Sequence, residues 1–233
     1  NRSDIIARFR PRTGIQKLLG RILVLSDAAH SLGAIYKGIS TGKVADISVF
    51  SFHAVKNITT AEGGCIAINL PKQFNHQEIY SIMRLMTLNG QTKDALTKTN
   101  AGGWKYDIVL PGFKMNMPDV CAAIGLAQIR KYKKLILPER KRVALLYSQL
   151  LNEFDWIKLP EFDSNKCESS CHIFPIRLIG VNEEQRDAII EQISNRGVAV
   201  NVHFIPMPML SLFKNMKYKI EDYPNSYKNY SCE

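Results

Sequence analysis

Two short segments carry the side chains with the greatest capacity for chemistry. The first, LSDAAHS, places Asp27 and His30 directly after an apolar run of strand length. The second, FSFHAVKNITTAEGG, spans residues 50–64 and places Lys56 after a similar run, with Ser51 ahead of it. Taken alone, each charged residue is ordinary, because aspartate commonly caps helices and lysine usually stays at the surface.

Together, the two segments supply the groups that pyridoxal 5'-phosphate (PLP) needs. This cofactor needs an amine for a Schiff base, a carboxylate facing its pyridine nitrogen, and hydroxyl or backbone donors around its phosphate. Lys56, Asp27 and Ser51 supply one of each at the ends of neighbouring predicted strands. Because open α/β sheets bind ligands at the carboxyl ends of their strands, the pattern predicts a PLP site there.

Three predicted strands must position these residues. They are residues 21–26 (RILVLS), 46–51 (DISVFS) and 65–69 (CIAIN). The first run does not alternate with polar residues, which predicts burial on both faces within a parallel sheet. A helix is expected after Pro71, followed by a polar, glycine-containing loop over residues 89–105.

A pair of helices is predicted over residues 119–153. Pro118 and Asp119 have the residue types of a helical first turn, and the apolar pattern continues from them. Pro138 is expected to interrupt the pair. The second helix has its apolar stripe at Val143, Leu146, Tyr147, Leu150 and Leu151.

The remaining residues predict a smaller α/β region. A loop over 163–170 is followed by a strand over 172–179, a helix over 183–196 and a strand over 198–203. Strand and helix signals alternate along the whole chain, so the predicted class is α/β.

The helical pair is expected to bridge two domains. We expect the larger one to cover residues 1–135, with a mostly parallel sheet, and the smaller one to cover 136–233.

Composition restricts the class of protein. The 233 residues, 45% of them hydrophobic, can bury a core. The chain has no run of about 18 apolar residues, so no membrane-spanning helix is predicted. The first residues do not resemble a signal peptide. Five cysteines do not suggest a disulfide framework, and Cys167 and Cys171 lack a second pair for a zinc site. We therefore expect reduced thiols, no metal and a cytoplasmic location.

The net charge of +10 raises the alternative of a nucleic-acid-binding protein. The basic residues are dispersed, however, and their modest clusters at residues 8–12, 130–134 and 140–142 are not interleaved with aromatic residues. A solvated helix face accounts for the second cluster, and an anionic small substrate fits the positive charge equally well.

The sequence resembles the DegT/DnrJ/EryC1/StrS family of sugar aminotransferases. Four segments carry the resemblance: DAAHSLGAIYKG, SFHAVKNITTAEGGCIAIN, PGFKMNMPDVCAAIGLAQI and GVAVNVHFIPM. It implies the PLP-dependent transferase fold type I, which is aspartate aminotransferase-like, and a homodimer with active sites at the subunit interface. It also implies amino transfer from glutamate to a keto-sugar nucleotide in the biosynthesis of surface polysaccharide, lipopolysaccharide or antibiotic sugars.

The resemblance also assigns roles around the cofactor. Lys56 matches the Schiff-base lysine and Asp27 the partner of the pyridinium nitrogen. His30 occupies the family's Gln/His position beside the cofactor ring, and Ser51 matches a phosphate ligand. His53 has the alternative of packing beneath the lysine loop.

Two further residues lie outside the first two segments. Asn116 resembles the asparagine that reaches the phosphate of the neighbouring subunit's cofactor, although capping the helix at Pro118 is an alternative. His203 resembles the family's substrate-side histidine, with a structural role as its alternative. The letters KMN, at residues 114–116, are closer to members that aminate C4 of a pyranose nucleotide, such as the arabinose-modifying enzymes.

Two alternatives remain within the resemblance. Sugar dehydratases of the family carry histidine where this chain has Lys56, so the lysine favours amino transfer. A catalytically silent homologue would act as a scaffold or regulator. Family members carry a long stretch before the DAAH segment, and residues 229–233 suggest no closing element, so we expect a sequence that is incomplete at both ends.

Overall fold

Short strands and helices follow one another along residues 10–92 and 104–232, which the computed structural model describes. The first half contains α1 (Gly14–Leu19), β1 (Leu25–Asp27), β2 (Ile35–Tyr36), β3 (Ile39–Ser40), a 3₁₀ helix (Thr41–Lys43), β4 (Ile47–Ser51), β5 (Gly64–Ile68) and α2 (His76–Thr87). The second half contains α3 (Asp119–Lys131), a π-helical segment (Tyr132–Ile136), α4 (Leu137–Leu151), β6 (Ile157–Lys158), β7 (Asp163–Ser164), β8 (Cys167–Glu168), β9 (Arg177–Leu178), α5 (Glu183–Asn195), α6 (Ser211–Asn215) and α7 (Pro224–Cys232), with 3₁₀ helices at Met207–Met209 and Ile220–Asp222.

The chain divides into two compact units. The first consists of Asn1–Leu137 and Asn165–His172, and the second of Pro138–Ser164 and Ile173–Glu233. The first unit is therefore discontinuous, because a segment that follows β7 belongs to it. The expected assignment of a larger domain to 1–135 and a smaller one to 136–233 stays a prediction.

The sheet of the first unit contains the two strands that precede the chemical segments. β1 pairs in parallel with β4, with Asp27 opposite Val49, and β4 pairs antiparallel with β5, with Ser51 opposite Gly64. All three strands fall where the sequence predicts strands, and the α/β class is confirmed. The antiparallel β5 makes this described sheet a mixed one.

The expected burial of the first strand on both faces is wrong. Ile22, Val24 and Leu25 are 65%, 53% and 62% exposed. β1 lies at the edge of the described sheet, whose order is β1-β4-β5. Side chains of a strand are buried by what packs on the two faces of the sheet, and the described residues leave this run largely uncovered. The central β4 instead buries Ser48 and Phe50.

A buried carboxylate connects the residues before β1 with the start of β4. Asp46 is 5% exposed and accepts hydrogen bonds from both terminal nitrogens of Arg21 and from the backbone N–H of Val24. The Arg21 hydrogen bond, followed by that of Val24, lowers the pKa of Asp46 to about 2. The side chain therefore remains charged at neutral pH and fixes the chain that leads into β1.

The backbone stays helical where an interruption was expected at Pro138. Leu137 donates its N–H to the carbonyl of Tyr132, which closes the wider turn of a π-helix, and α4 follows at once. Proline lacks an N–H and its ring clashes with the carbonyl four residues earlier, so a wider turn just before it accommodates the ring. The predicted break is therefore a change of helical pitch.

In the second unit, the helix predicted over 183–196 is confirmed as α5, whose Asn182 caps it reciprocally with Gln185. The strand expected over 172–179 is reduced to β9, which pairs with β6. The strand expected over 198–203 is wrong, because these residues form no strand in the described structure. Apolar β-branched residues favour a strand, but a strand also needs a partner for its backbone groups.

Pro224–Cys232 form the helix α7, and the expectation that the sequence is incomplete at both ends stays a prediction. Arg186 of α5 is 1% exposed and donates to the carbonyl of Tyr230, whose ring lies 4.5 Å from the guanidinium. The hydroxyls of Tyr227 and Tyr230 both donate to Glu183. α7 is therefore attached to α5 through one arginine and one glutamate.

The loop expected over 163–170 contains the two short strands β7 and β8, and part of the loop expected over 89–105 lies outside the described residues. No helix in the described ranges is long and apolar enough to cross a membrane. Within 10–92 and 104–232, no cluster of three histidine, cysteine or acidic side chains is arranged to hold a metal ion.

Candidate active site

Lys56 and His30 meet in the first unit. The Nζ atom of Lys56 lies 2.6 Å from Nε2 of His30, and both side chains are half-buried. An imidazole nitrogen can donate or accept, so the direction of this hydrogen bond follows the tautomer of His30; against an ammonium, which has donors only, Nε2 is the acceptor. The structure thus joins residues from the two chemical segments, which lie 26 positions apart.

Asp27 and Ser51 occupy the ends of the parallel strands β1 and β4. Asp27 is exposed, and its Oδ1 accepts the backbone N–H of Ala29 at 3.1 Å. The Ser51 hydroxyl accepts the N–H of His53 at 3.3 Å. Since parallel strands end at the same edge, the carboxylate and the hydroxyl lie on the edge from which the Lys56 segment departs.

The loop that carries Lys56 is closed by backbone and hydroxyl contacts. Phe52 donates its N–H to the carbonyl of Gly63 and accepts that of Thr60, each at 2.8 Å. Thr60 is 1% exposed and also donates its hydroxyl to the carbonyl of Glu62. Gly63 has a φ of 152°, and a Cβ atom there would lie 2.5 Å from the Thr60 hydroxyl. The Thr-Thr-Ala-Glu-Gly-Gly turn therefore shapes the loop around Lys56.

Tyr132 connects this loop with the loop after β1. Its ring is 3% exposed, and its hydroxyl donates to the carbonyl of Leu32 and accepts from the Asn57 amide at 3.2 Å. Asn57 also donates to the Leu32 carbonyl at 2.9 Å. Leu32 lies two residues after His30, and Asn57 directly follows Lys56. The three groups therefore hold together the two backbones that bear the Lys56–His30 pair.

Two residues of the discontinuous segment also contact His30. The Ser170 hydroxyl donates to the backbone carbonyl of His30 at 3.1 Å, and the ring of His172 lies 4.3 Å from the His30 ring at a tilt of 43°. The sequence pattern did not identify Ser170, His172, Asn57 or Tyr132 as parts of the site. Ser170 and His172 were assigned to a loop and a strand, and no periodic pattern relates them to His30, which precedes Ser170 by 140 positions.

The other predicted residues have different surroundings. Asn116 is exposed, and its Oδ1 accepts from Lys114 at 2.5 Å. The cap of α3 is Pro118, without a side-chain hydrogen bond, so Asn116 does not cap that helix. His203 lies in the second unit with its ring 3.7 Å from that of Phe204, and its role beside a substrate stays a prediction.

The expectation that His53 packs beneath the lysine loop is wrong. Its side chain is 46% exposed, and Nε2 lies 3.7 Å from the Glu62 carboxylate. The segment turns the side chain toward solvent because the buried positions of this loop are taken by Asn57, Ile58 and Thr60.

The donor set of this edge fits PLP. A half-buried amine on Lys56, an exposed carboxylate on Asp27 and a hydroxyl on Ser51 come from one sheet edge and the loop beside it. These are the kinds of group that hold the cofactor covalently, face its ring nitrogen and bind its phosphate. The first unit therefore contains one wall of a potential cofactor site.

Comparison with known proteins gives a family match. The model of the DegT/DnrJ/EryC1/StrS aminotransferase family matches residues 19–232. The UDP-4-amino-4,6-dideoxy-N-acetyl-beta-L-altrosamine transaminase of Campylobacter jejuni serotype O:2 is 32% identical over 212 residues, which cover 89% of this chain and 52% of that protein. The UDP-4-amino-4-deoxy-L-arabinose–oxoglutarate aminotransferase of Shewanella sediminis is 32% identical over 192 residues, covering 79% of this chain and 46% of that protein.

A solved structure supports the fold. A protein of Streptococcus pneumoniae assigned as a sugar aminotransferase, in its PMP form, is 38% identical with a TM-score of 0.85, covering 95% of this chain and 55% of that one. Its PLP form is also known, with a TM-score of 0.83. The expected fold of PLP-dependent transferases is confirmed. The chain spans about half the length of the relatives that it matches.

Proposed function

Because the chain belongs to the DegT/DnrJ/EryC1/StrS aminotransferase family, we propose that the whole protein moves an amino group from glutamate to a keto-sugar nucleotide. The family is PLP-dependent, and the cofactor supplies an electron sink when bound. The observation that carries the proposal is the Lys56 amine, 2.6 Å from His30 at the sheet edge that bears Asp27 and Ser51.

Lys56 has two tasks in this proposal. Its Nζ atom is the covalent anchor of the cofactor, and once released it takes and returns a proton as a general acid–base. His30 Nε2 accepts a hydrogen from that amine and so restricts its direction. The lysine also favours amino transfer over dehydration, since the family's dehydratases carry histidine there.

Asp27 and Ser51 bind opposite ends of the cofactor in the proposed site. The Asp27 carboxylate lies at the end of β1 and would keep the ring nitrogen protonated. The Ser51 hydroxyl, at the end of β4, would donate to the phosphate. This arrangement would place a negative charge at the ring nitrogen and a neutral hydrogen-bond donor at the phosphate, as the two ends of the cofactor require.

The substrate class rests on the relatives. The Campylobacter and Shewanella proteins are both named for UDP-linked sugars with an amino group at C4. We therefore propose a 4-keto hexose or pentose nucleotide as acceptor, with His203 on the substrate side. Surface polysaccharide, lipopolysaccharide or antibiotic sugar biosynthesis is the corresponding context.

Assembly and location complete the proposal. The enzyme would be a homodimer in which Asn116 reaches the partner's cofactor, and the exposure of Asn116 supports that role. A cytoplasmic location is supported by the five cysteines, all of which are free thiols. We propose no nucleic-acid or membrane partner for it.

The assignment of Lys56 is testable by covalent trapping. Borohydride reduction of the cofactor-loaded protein, followed by peptide mapping, should place the cofactor on Lys56. The variant Lys56→Ala should trap no cofactor and lose turnover, whereas Lys72→Ala, which removes an exposed lysine of the same unit, should behave as wild type. Trapping on another lysine would refute the assignment. A purified protein without a yellow chromophore that traps nothing would favour a catalytically silent homologue.

A further inference from the structure

The segment Asn165–His172 belongs to the unit that carries Lys56, although the chain reaches it after entering the second unit. We propose that Ser170 and His172 are positioning residues, which hold the ring of His30 so that its Nε2 faces the Lys56 amine. The relevance of this arrangement to catalysis rests on the proposed function, whereas the arrangement itself concerns only side chains of this chain.

The segment is attached to the loop after β1 by its backbone. β8 pairs with β2, with Cys167 opposite Tyr36, and Lys37 donates its N–H to the carbonyl of Lys166 at 2.6 Å. At the other end, the N–H of Cys171 donates to the Ser169 hydroxyl at 3.1 Å. Ser170 and His172 therefore approach His30 on a backbone that is already fixed to the same unit.

Ser170 fixes the main chain of His30. Its side chain is 2% exposed, and its hydroxyl donates to the His30 carbonyl at 3.1 Å. This hydrogen bond satisfies a part-buried carbonyl, and removal of a donor from such a group costs stability. The contact therefore fixes the backbone position from which the His30 side chain extends.

His172 restricts the ring of His30. The two rings lie 4.3 Å apart with a tilt of 43°, which is a packing contact. The χ2 angle of histidine is broad when nothing packs against the ring. A flipped ring would present Cε1 to Lys56 in place of Nε2, and carbon would make no comparable hydrogen bond to the amine. The His172 contact therefore favours the orientation in which Nε2 lies 2.6 Å from Nζ.

Three variants separate the ring contact from the backbone contact. His172→Ala removes the ring, His172→Phe keeps an aromatic face of similar size, and Ser170→Ala removes only the hydroxyl. His76→Ala is a matched control for histidine removal, because His76 bonds to the Leu70 carbonyl elsewhere in the same unit. Ser81→Ala is the control for hydroxyl removal, because the exposed Ser81 donates to the Gln77 carbonyl within α2.

The direct measurement is the tautomer and orientation of His30. The full chain has five histidines, so ¹⁵N-histidine spectra of the folded protein can be assigned from single variants. In wild type, the Nε2 resonance of His30 should have the shift of an unprotonated hydrogen-bonded nitrogen. His172→Ala and Ser170→Ala should move or broaden this resonance, and His172→Phe should restore it. The controls should leave it unchanged.

Turnover provides the second measurement. In the cofactor-loaded protein, His172→Ala should lower kcat about tenfold or more with KM little changed, because the affected group acts on the amine and a misplacement of about 1 Å can cost about a hundredfold. His172→Phe should recover most of that loss.

Unchanged His30 resonances in folded His172→Ala and Ser170→Ala would overturn the proposal, whatever happens to turnover. If His172→Ala fails to fold, the comparison of His172→Phe with Ser170→Ala decides it: the proposal requires the phenylalanine variant to keep the His30 signal and the alanine variant to alter it. Failure to trap cofactor on Lys56 in wild type would instead reject the proposed function, and the spectra would still test the positioning role.

Discussion

At the scale of single residues, the proposed role of Lys56 depends on the groups around its amine. His30 Nε2 lies 2.6 Å from it, and the Asp27 carboxylate and Ser51 hydroxyl lie on the adjoining sheet edge. A surface lysine would have water in place of these fixed partners. The candidate site therefore consists of one amine with a fixed hydrogen-bonding partner beside it.

Asp27→Asn should separate cofactor attachment from amino transfer. The amine of Lys56 remains, so borohydride should still trap the cofactor, but the neutral amide cannot balance a protonated ring nitrogen. We expect a single turnover to slow by about a hundredfold or more, measured by stopped-flow absorbance with glutamate. The exposed Asp155→Asn variant, in the second unit, is the matched control. An undiminished rate in Asp27→Asn would contradict the role.

The site residues that the sequence predicts all belong to short local patterns. Asp27, His30, Ser51 and Lys56 each lie within a few residues of a predicted strand end, so a local pattern contains them. The contacts of Ser170 and His172 with His30 depend on the route of the chain back to the first unit, which is a long-range property of the fold. Local patterns do not contain that information.

At the scale of elements, two loops and the start of the π-helical segment form one connected group. The loops after β1 and after β4 both bond to the Tyr132 hydroxyl, through Leu32 and Asn57. Gly33 allows this approach, because a Cβ atom there would lie 2.6 Å from that hydroxyl. The position of the two loops therefore depends on Gly33 and Tyr132.

Gly33→Ala and Gly38→Ala should differ in stability for this reason. Both glycines have positive φ, 90° and 77°, so alanine is strained at each position. Only Gly33 has a neighbour within 4 Å of the added Cβ. We expect Gly38→Ala to lower the free energy of unfolding by about 1 kcal/mol and Gly33→Ala by about 2–4 kcal/mol. Urea unfolding measures both, and equal losses would argue against the close contact with Tyr132.

Some of the elements could be predicted from the sequence and others could not. The strands at β1, β4 and β5 and the helix α5 follow from runs of apolar residues and from capping residues. The edge position of β1 and the absence of a strand over 198–203 depend on which strands have partners. Pairing partners come from distant residues, so a local apolar run cannot specify them.

At the scale of the whole molecule, stability in acid should depend on Asp46. Its folded-state pKa of about 2 lies below its ordinary value of 3.8, chiefly because Arg21 donates to it. The resulting stabilisation is complete above about pH 4 and is lost as the pH falls through about 2. Asp46→Asn should therefore have a lower thermal midpoint than wild type at neutral pH.

The difference between the two midpoints should then shrink as the pH falls from 4 to 2. Thermal unfolding followed by circular dichroism at several pH values measures it, with the exposed Asp155→Asn as control. A difference that stays constant from pH 7 to pH 2 would contradict the importance of the Arg21–Asp46 pair.

The proposed dimer is testable with mixed subunits. If Asn116 serves the partner's site, a hybrid of Lys56→Ala and Asn116→Ala subunits contains one complete site and one that lacks both residues. Random exchange makes about half of the dimers hybrid, so two inactive preparations should recover about a quarter of the wild-type activity after mixing. No recovery, although subunits exchange, would mean that Asn116 acts within its own subunit, and an active Asn116→Ala preparation would mean that it has no such role.

The discontinuous first unit sets an order of events on the ribosome. Chains emerge from their N-terminus, and domains generally fold as units during synthesis. His30 and Lys56 leave the exit tunnel before Ser170, which follows His30 by 140 residues. The strands β1, β4 and β5 can pair before then, but the hydrogen bond from the Ser170 hydroxyl to the His30 carbonyl cannot form until Ser170 has been translated. The nascent unit is therefore completed only after translation has passed β7, which belongs to the second unit.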